Sequence, residues 1–326
     1  VLALLPALLF GCWNVGYQNA LAFGIERSLL GHFFFGFWKF LPLFIVSYVV
    51  GLGIEFASAQ IRGHEVNEGY LVTGILIPLI IPINTPLWML ALAVAFAVIF
   101  GKEIFGGTGY NIMNVALIAR AFLFFAYPSE MSGDKVWIYG LPDQAAIDGF
   151  SGATPLAQLA QGATQNMASM SDLFMGFIPG SIGETSKLAI LIGAAILLFT
   201  GIASWKIMLS TVIGVLSIGL LCNAFALNEY MAVPAYYHLL IGGFAFGAVF
   251  MATDPVTAPH TERGKWIYGF MIGAFVVLIR VFNPAYPEGM MLAILLMNVW
   301  SPLIDYFVVQ SHIKHRQKRF LVKKNA

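Results

Sequence analysis

The chain has 326 residues, of which 59% are hydrophobic and 10% charged, with a mean hydropathy of +0.82 and a formal net charge of +1. Soluble domains carry around 25% charged residues, so this composition excludes a soluble globular protein, and the near-neutral balance provides no electrostatic footprint for nucleic acid. Two cysteines, Cys12 and Cys222, lie far apart in apolar runs; they exclude a four-thiolate cluster held by this chain alone and read as small buried hydrophobes.

Apolar runs separated by polar breakers predict an all-α polytopic membrane protein of about ten transmembrane helices. In chain order the runs are 1–20, 33–54, 69–83, 86–101, 110–127, 186–203, 206–222, 236–252, 266–282 and 289–308. The first run is already long enough to span, so no signal-peptide pattern is present. The chain opens without Met, which suggests that a natural N-terminal segment precedes Val1. Four regions follow: a first membrane half (1–127), a long outer loop (128–185), a second membrane half (186–308) and a basic tail (309–326).

Charge sets the expected orientation. Placing the tail, with Lys314, Arg316, Lys318 and Arg319, in the cytoplasm also brings Arg62, Lys102, Lys206, Arg263 and Lys265 inside, as the positive-inside rule requires. The loop 128–185 then faces outward with Glu130, Asp134, Asp143, Asp148, Asp172 and Glu184 against a single Lys135. An internal echo suggests two inverted five-helix repeats. One apolar run ends at Asn84-Thr85-Pro86 on the outer side, and the run five helices later ends at Thr253-Asp254-Pro255 on the inner side. Polar residues followed by proline fit broken helices whose freed backbone groups line a path; ordinary helix ends fit equally.

Chemistry concentrates in a few segments. In the outer loop, Asp148-Gly-Phe-Ser151-Gly152-Ala153-Thr154-Pro155 places small residues before a predicted short helix, 155–161, with Thr154 as its N-cap and Pro155 at its first position. A phosphate on that hydroxyl would meet the positive helix end; a capped surface helix is the plain reading of the tetrapeptide alone. The glycine-rich run Phe105–Asn114 allows close approach of a ligand, with Asn111 and Asn114 expected on one helical face, or else serves helix packing. Gly51, Gly53 and Glu55 open a slot near the inner end of the second helix, or simply end it in water. Arg120 and Arg280 sit toward outer helix ends, facing a phosphate or the acidic loop, or snorkelling to the surface. Asp254 is the best single carboxylate for a cation path, with Asn84, Thr85 and Thr253 as further oxygens.

These segments together resemble the NqrB/RnfD family, membrane subunits of the sodium-translocating NADH:quinone oxidoreductase and of the Rnf electron-transport complex. The resemblance runs through HEVNEG from His64, GKEIFGGTGYNIMN from Gly101, RAFLFFAYP from Arg120 and Ser-Gly-Ala-Thr at 151–154. It continues through PGSIGE from Pro179, GGFAFG from Gly242, MATDPV from Met251 and NPAYPEGMMLAIL from Asn283. It implies FMN joined through its phosphate to Thr154 by a separate flavin transferase. It further implies a noncovalent riboflavin near Asn111 and Asn114, and a quinone region at Gly51, Gly53 and Glu55. Electrons would then run from the outer flavin to the inner one and on to quinone, with sodium carried across. It also implies a partner subunit that oxidises NADH, other subunits of the same complex, and residence in a bacterial inner membrane. HEVNEG and RAFLFFAYP favour the sodium pump over the Rnf complex. Family members begin with a longer cytoplasmic segment, and the stretch near 21–38 is short here. A ten-helix solute channel without redox chemistry fits the broken helices but not the flavin motif.

Overall fold

The computed structural model describes residues 1–63, 68–141, 152–160, 168–283 and 288–325, and among these every regular element is helical. Asp148, Ser151 and His64 to Asn67 lie outside the described residues. The helices are α1 (Leu5–Phe23), α2 (Leu29–Arg62), α3 (Tyr70–Ile80), α4 (Leu87–Gly101), α5 (Val115–Ala126), α6 (Pro128–Met131), α7 (Pro155–Ala160), α8 (Met170–Met175), α9 (Lys187–Phe199), α10 (Trp205–Phe225), α11 (Glu229–Ala232), α12 (Tyr237–Leu240), α13 (Phe244–Phe246), α14 (Glu262–Phe282) and α15 (Met290–Asn325).

Five of these segments, namely α2, α4 with the 3₁₀ turn that follows it, α10, α14 and α15, are long and apolar enough to cross a membrane. The chain is thus a multi-pass membrane protein. Three further apolar helices are shorter: α3, α5 and α9, with 11, 12 and 13 residues. At 1.5 Å per residue they reach about 17, 18 and 20 Å, well short of a ~30 Å hydrocarbon core.

Local chemistry sets those lengths. α3 stops at Ile80 because Ile81 precedes Pro82 and is extended. The run expected over 110–127 becomes helical only at Val115. Gly106, Gly107 and Gly109 hold φ of +122°, +94° and +93°, a region that excludes helix, and Asn114 then caps α5 by accepting from the amides of Ala116 and Leu117. Asn111 and Asn114 therefore do not share a helical face. Ser186 caps α9 through the amide of Ala189. The run expected over 236–252 is broken into α12, a turn at Gly242 (φ +63°), α13 and a π-helical turn over Gly247–Met251. π-turns are concentrated at functional sites.

The long helices pack through residues without bulk. A side chain at Gly36 would run into the carbonyl of Cys12, and one at Gly273 into the carbonyl of Thr211, so α1–α2 and α10–α14 meet backbone to backbone. The outer loop is pinned onto this frame. Asn84 donates to the carbonyls of Ile138 (2.7 Å), Lys135 (3.2 Å) and Val136 (3.3 Å), and accepts from the amide of Gly140 (3.2 Å). Asn14 and Asn19 of α1 reach the carbonyls of Ile178 and Tyr139. Thr85 donates to the carbonyl of Pro82. Asn84 and Thr85 thus bond around the end of α3 and the outer loop, and neither bonds to Asp254.

Candidate functional site

Four short elements build the site: α3, α5, α9 and the broken segment from α12 to Val256. Together they contribute residues to two cavities at their opposite ends. The cavity named outer, after the orientation expected from charge, takes Arg120 and Phe124 from α5, Lys187 from α9 and Gly242 from the break. The inner cavity takes Val72, Thr73 and Leu76 from α3, Asn114 and Val115 from the start of α5, Leu197 from the end of α9, and Phe250 and Thr253 to Val256 from the break. Asn114 and Arg120 are six residues apart on α5, about 9 Å along the axis.

The outer cavity encloses about 90 Å³ and holds Thr154 together with Arg120. Thr154 caps α7 as expected, its hydroxyl oxygen accepting from the amide of Ala157 at 3.2 Å, while Gln158 reaches back to the carbonyl of Ala153. Gly152 is pressed against the backbone of Asp134, where a side chain would not fit. Arg120 is buried and clamped between two carboxylates, Glu184 at 2.6 Å and Glu288. Glu184 is itself fixed by the hydroxyl of Ser181. Arg280 is fully enclosed and donates to the carbonyls of His238 (2.7 Å), Ile241 (2.9 Å) and Glu288 (3.2 Å). Neither arginine snorkels.

The inner cavity, about 340 Å³, falls within the size range of small-molecule sites. Its lining is mostly apolar, with Asn111, Asn114, Thr108, Lys102, Thr253 and Asp254 among the polar groups. Asp254 accepts from Asn114 (3.1 Å), from the hydroxyl of Thr257 (3.2 Å) and from the amide of Val256 (3.1 Å). Thr253 donates to the carbonyl of Val249 at 2.6 Å. The residues expected for an inner ligand and those expected for a cation path thus line one cavity.

Lys102 joins this cavity to a third cluster. It forms a buried ion pair with Glu55, while Glu103, next in sequence to Lys102, accepts from Ser58. Glu55 is therefore not a solvated helix end. Gly51 packs on the ring of Tyr70, which donates to the carbonyl of Ser47, whereas Gly53 opens onto free space. The two glycines do not form one slot: Tyr70 fills the space beside the first.

A profile of the NQR2, RnfD, RnfE family matches residues 1–314. The chain belongs to that family. Among its relatives is a Na(+)-translocating NADH-quinone reductase subunit of Ectopseudomonas mendocina, 49% identical over 96% of this chain and 83% of the relative. The equivalent protein of Chromohalobacter salexigens is likewise 49% identical, over 96% and 81%, and that of Azotobacter vinelandii is 47% identical over 96% and 83%.

In this member of the NQR2, RnfD, RnfE family the structure gathers the sequence-derived residues into two groups, Thr154 with Arg120 and Asn111 with Asn114 and Asp254. It adds residues that the sequence alone does not single out: Lys187, Thr185 and Glu288 in the outer cavity, and Lys102 in the inner one. A signal exists for the first of these, since Lys187 heads an apolar run and ionisable groups inside membranes are rarely idle. Lys102, expected as an inside loop charge, forms a buried ion pair with Glu55.

Proposed function

We propose that this chain is the flavin-bearing membrane subunit of a sodium-translocating NADH:quinone reductase, carrying electrons toward quinone in step with sodium movement. The relatives' names support the complex. The observation that carries the flavin reading is that Thr154 lines one cavity together with the buried cations Arg120 and Lys187. In this reading the chain crosses a bacterial inner membrane ten times, in two inverted halves (1–127 and 186–308), with loop 128–185 outside and tail 309–326 in the cytoplasm. The shared placement of α5, α9 and the broken segment between the same two cavities supports that arrangement.

The donor sets suit the groups assigned to them. Thr154 offers a hydroxyl in a cavity also lined by the buried cations Arg120 and Lys187, the place for a phosphoester-linked FMN. The Ser-Gly-Ala stretch of 151–153, following Asp148, presents the threonine to the transferase without bulk. The larger inner cavity suits a noncovalent riboflavin, with Asn111, Asn114 and Thr108 as hydrogen-bonding groups on otherwise apolar walls. When bound, the flavins supply one- and two-electron chemistry. The protein orients, shields and sets the charge around them. Asp254 and Thr253 provide oxygens for a sodium ion at the inner end, and the region of Gly51, Gly53 and Glu55 serves quinone, with Lys102 linking it to the inner cavity. NADH oxidation belongs to a partner subunit, since the glycines at 106, 107 and 109 sit between membrane helices rather than after a strand.

The deciding experiment is in-gel flavin fluorescence under denaturing conditions, with the flavin transferase co-expressed. The wild-type band is expected to fluoresce and the Thr154→Ala band to be dark. A dark wild-type band, with the transferase active on another substrate, would return Thr154 to a helix cap and bring the channel reading forward.

A further inference from the structure

The outer cavity contains two groups that the fold leaves unexplained. Thr185 is 3% exposed, and its hydroxyl oxygen is buried with no hydrogen-bond partner among the described residues. A buried hydroxyl without a partner loses its hydrogen bond to water with nothing in return and therefore calls for a reason. Lys187, also 3% exposed, carries its ammonium group against three backbone carbonyls, Glu184 at 2.9 Å, Thr185 at 3.1 Å and Gly242 at 3.4 Å. Among the described residues no carboxylate forms an ion pair with it. Glu184 and Glu288 both hold Arg120, and the second oxygen of Glu184 takes the hydroxyl of Ser181. A buried cation that makes no direct ion pair and a buried donor without an acceptor among the described residues thus line a cavity that Thr154 also lines.

That cavity is partly open and, at about 90 Å³ against about 340 Å³, the smaller of the two. A phosphodiester supplies what Thr185 and Lys187 lack among the described residues: unesterified oxygens to accept from the hydroxyl and a negative charge placed directly at the ammonium group.

We propose that Thr185 and Lys187 form the seat of the flavin phosphate, the Thr185 hydroxyl donating to it and the Lys187 ammonium neutralising it. Arg120 is a positioning residue, withdrawn from the phosphate by its two carboxylates and holding Glu184 in place beside Lys187. The inference rests on the reading of Thr154 as a flavin attachment site.

The test compares the full chain in its membrane assembly, produced with and without the transferase, and reads two quantities: loading by in-gel fluorescence and melting temperature. Loading the wild type is expected to raise the melting temperature by about 1–2 °C, the scale set by the unfolding entropy of a chain of this length. Thr185→Val, which keeps shape but loses the donor, is expected to load and lose most of that rise, with Thr185→Ser restoring it. Lys187→Gln is expected to lose it as well. Equal rises in wild type and Thr185→Val would overturn the proposal, as would full loading of the wild type with no rise. A monodisperse Thr185→Ser protein that behaves like Thr185→Val would also remove the hydroxyl from the seat. A dark wild-type band instead brings down the attachment reading itself, and the seat with it.

Discussion

Glu55 and Lys102 show how much depends on a single partner inside this protein. Both side chains are 5% exposed, so neither charge has water to fall back on, and removing one strands the other. Breaking a buried pair from one side costs about 3–5 kcal/mol, whereas replacing both members is often neutral. Glu55→Gln is therefore expected to lower the melting temperature of the purified protein sharply, and Glu55→Gln with Lys102→Met to recover most of the loss. If the single and double variants melt alike, the pair is not what holds α2 to the inner cavity. Asp254 belongs to the same scale. Its oxygens are ordered by Asn114, Thr257 and the amide of Val256, and Asp254→Asn keeps that shape while removing the charge. Redox-driven sodium uptake into proteoliposomes is expected to fall about tenfold or more, the factor that ~1.4 kcal/mol produces, and unchanged uptake would take Asp254 out of the path.

At the scale of elements, close backbone approach governs the long helices. The α10–α14 contact leaves no room at Gly273, where the carbonyl of Thr211 and the amide of Val215 lie against the helix. Gly273→Leu is expected to destabilise by about 1–3 kcal/mol or more through overpacking, read as a drop in melting temperature, while the same change at Gly53, which faces open space, is expected to be mild. The helices most legible in the sequence are those bounded by local signals. α4, expected at 86–101, is found at Leu87–Gly101, following Pro86. α7, expected at 155–161 with Thr154 as cap, is found at Pro155–Ala160 with that cap formed. The less legible elements are those where glycine decides the path. Hydropathy cannot distinguish a continuous helix over 236–252 from α12, a left-handed Gly242 and a π-helical turn, because all of them are equally apolar.

Across the whole molecule, α5, α9 and the broken segment contribute residues to both cavities. The expected orientation puts the Thr154 cavity outside and the Asp254 cavity inside. Cysteine substitution with a membrane-impermeant thiol reagent checks it, since the native Cys12 and Cys222 are buried. Lys135→Cys, at an exposed position of the outer loop, is expected to label in intact cells, and Lys318→Cys of the tail only after permeabilisation. The reverse pattern would invert the assignment of both cavities.

Composition and local pattern by themselves determined that this is a multi-pass helical membrane protein and where several of its helices lie. These properties rest on interactions within a few turns of chain: hydropathy, caps, prolines and motif spacing. Only the tertiary structure decided that Thr154 and Arg120 line one cavity, that Asn114 meets Asp254 across 140 residues of sequence, and that Lys102 pairs with Glu55. It also revealed Thr185 as a buried donor without an acceptor, and Lys187 as a buried cation without an ion pair, among the described residues. The physical reason is that a buried charge or hydroxyl takes its meaning from what it faces, and partners brought together by folding leave no periodicity to read along the chain.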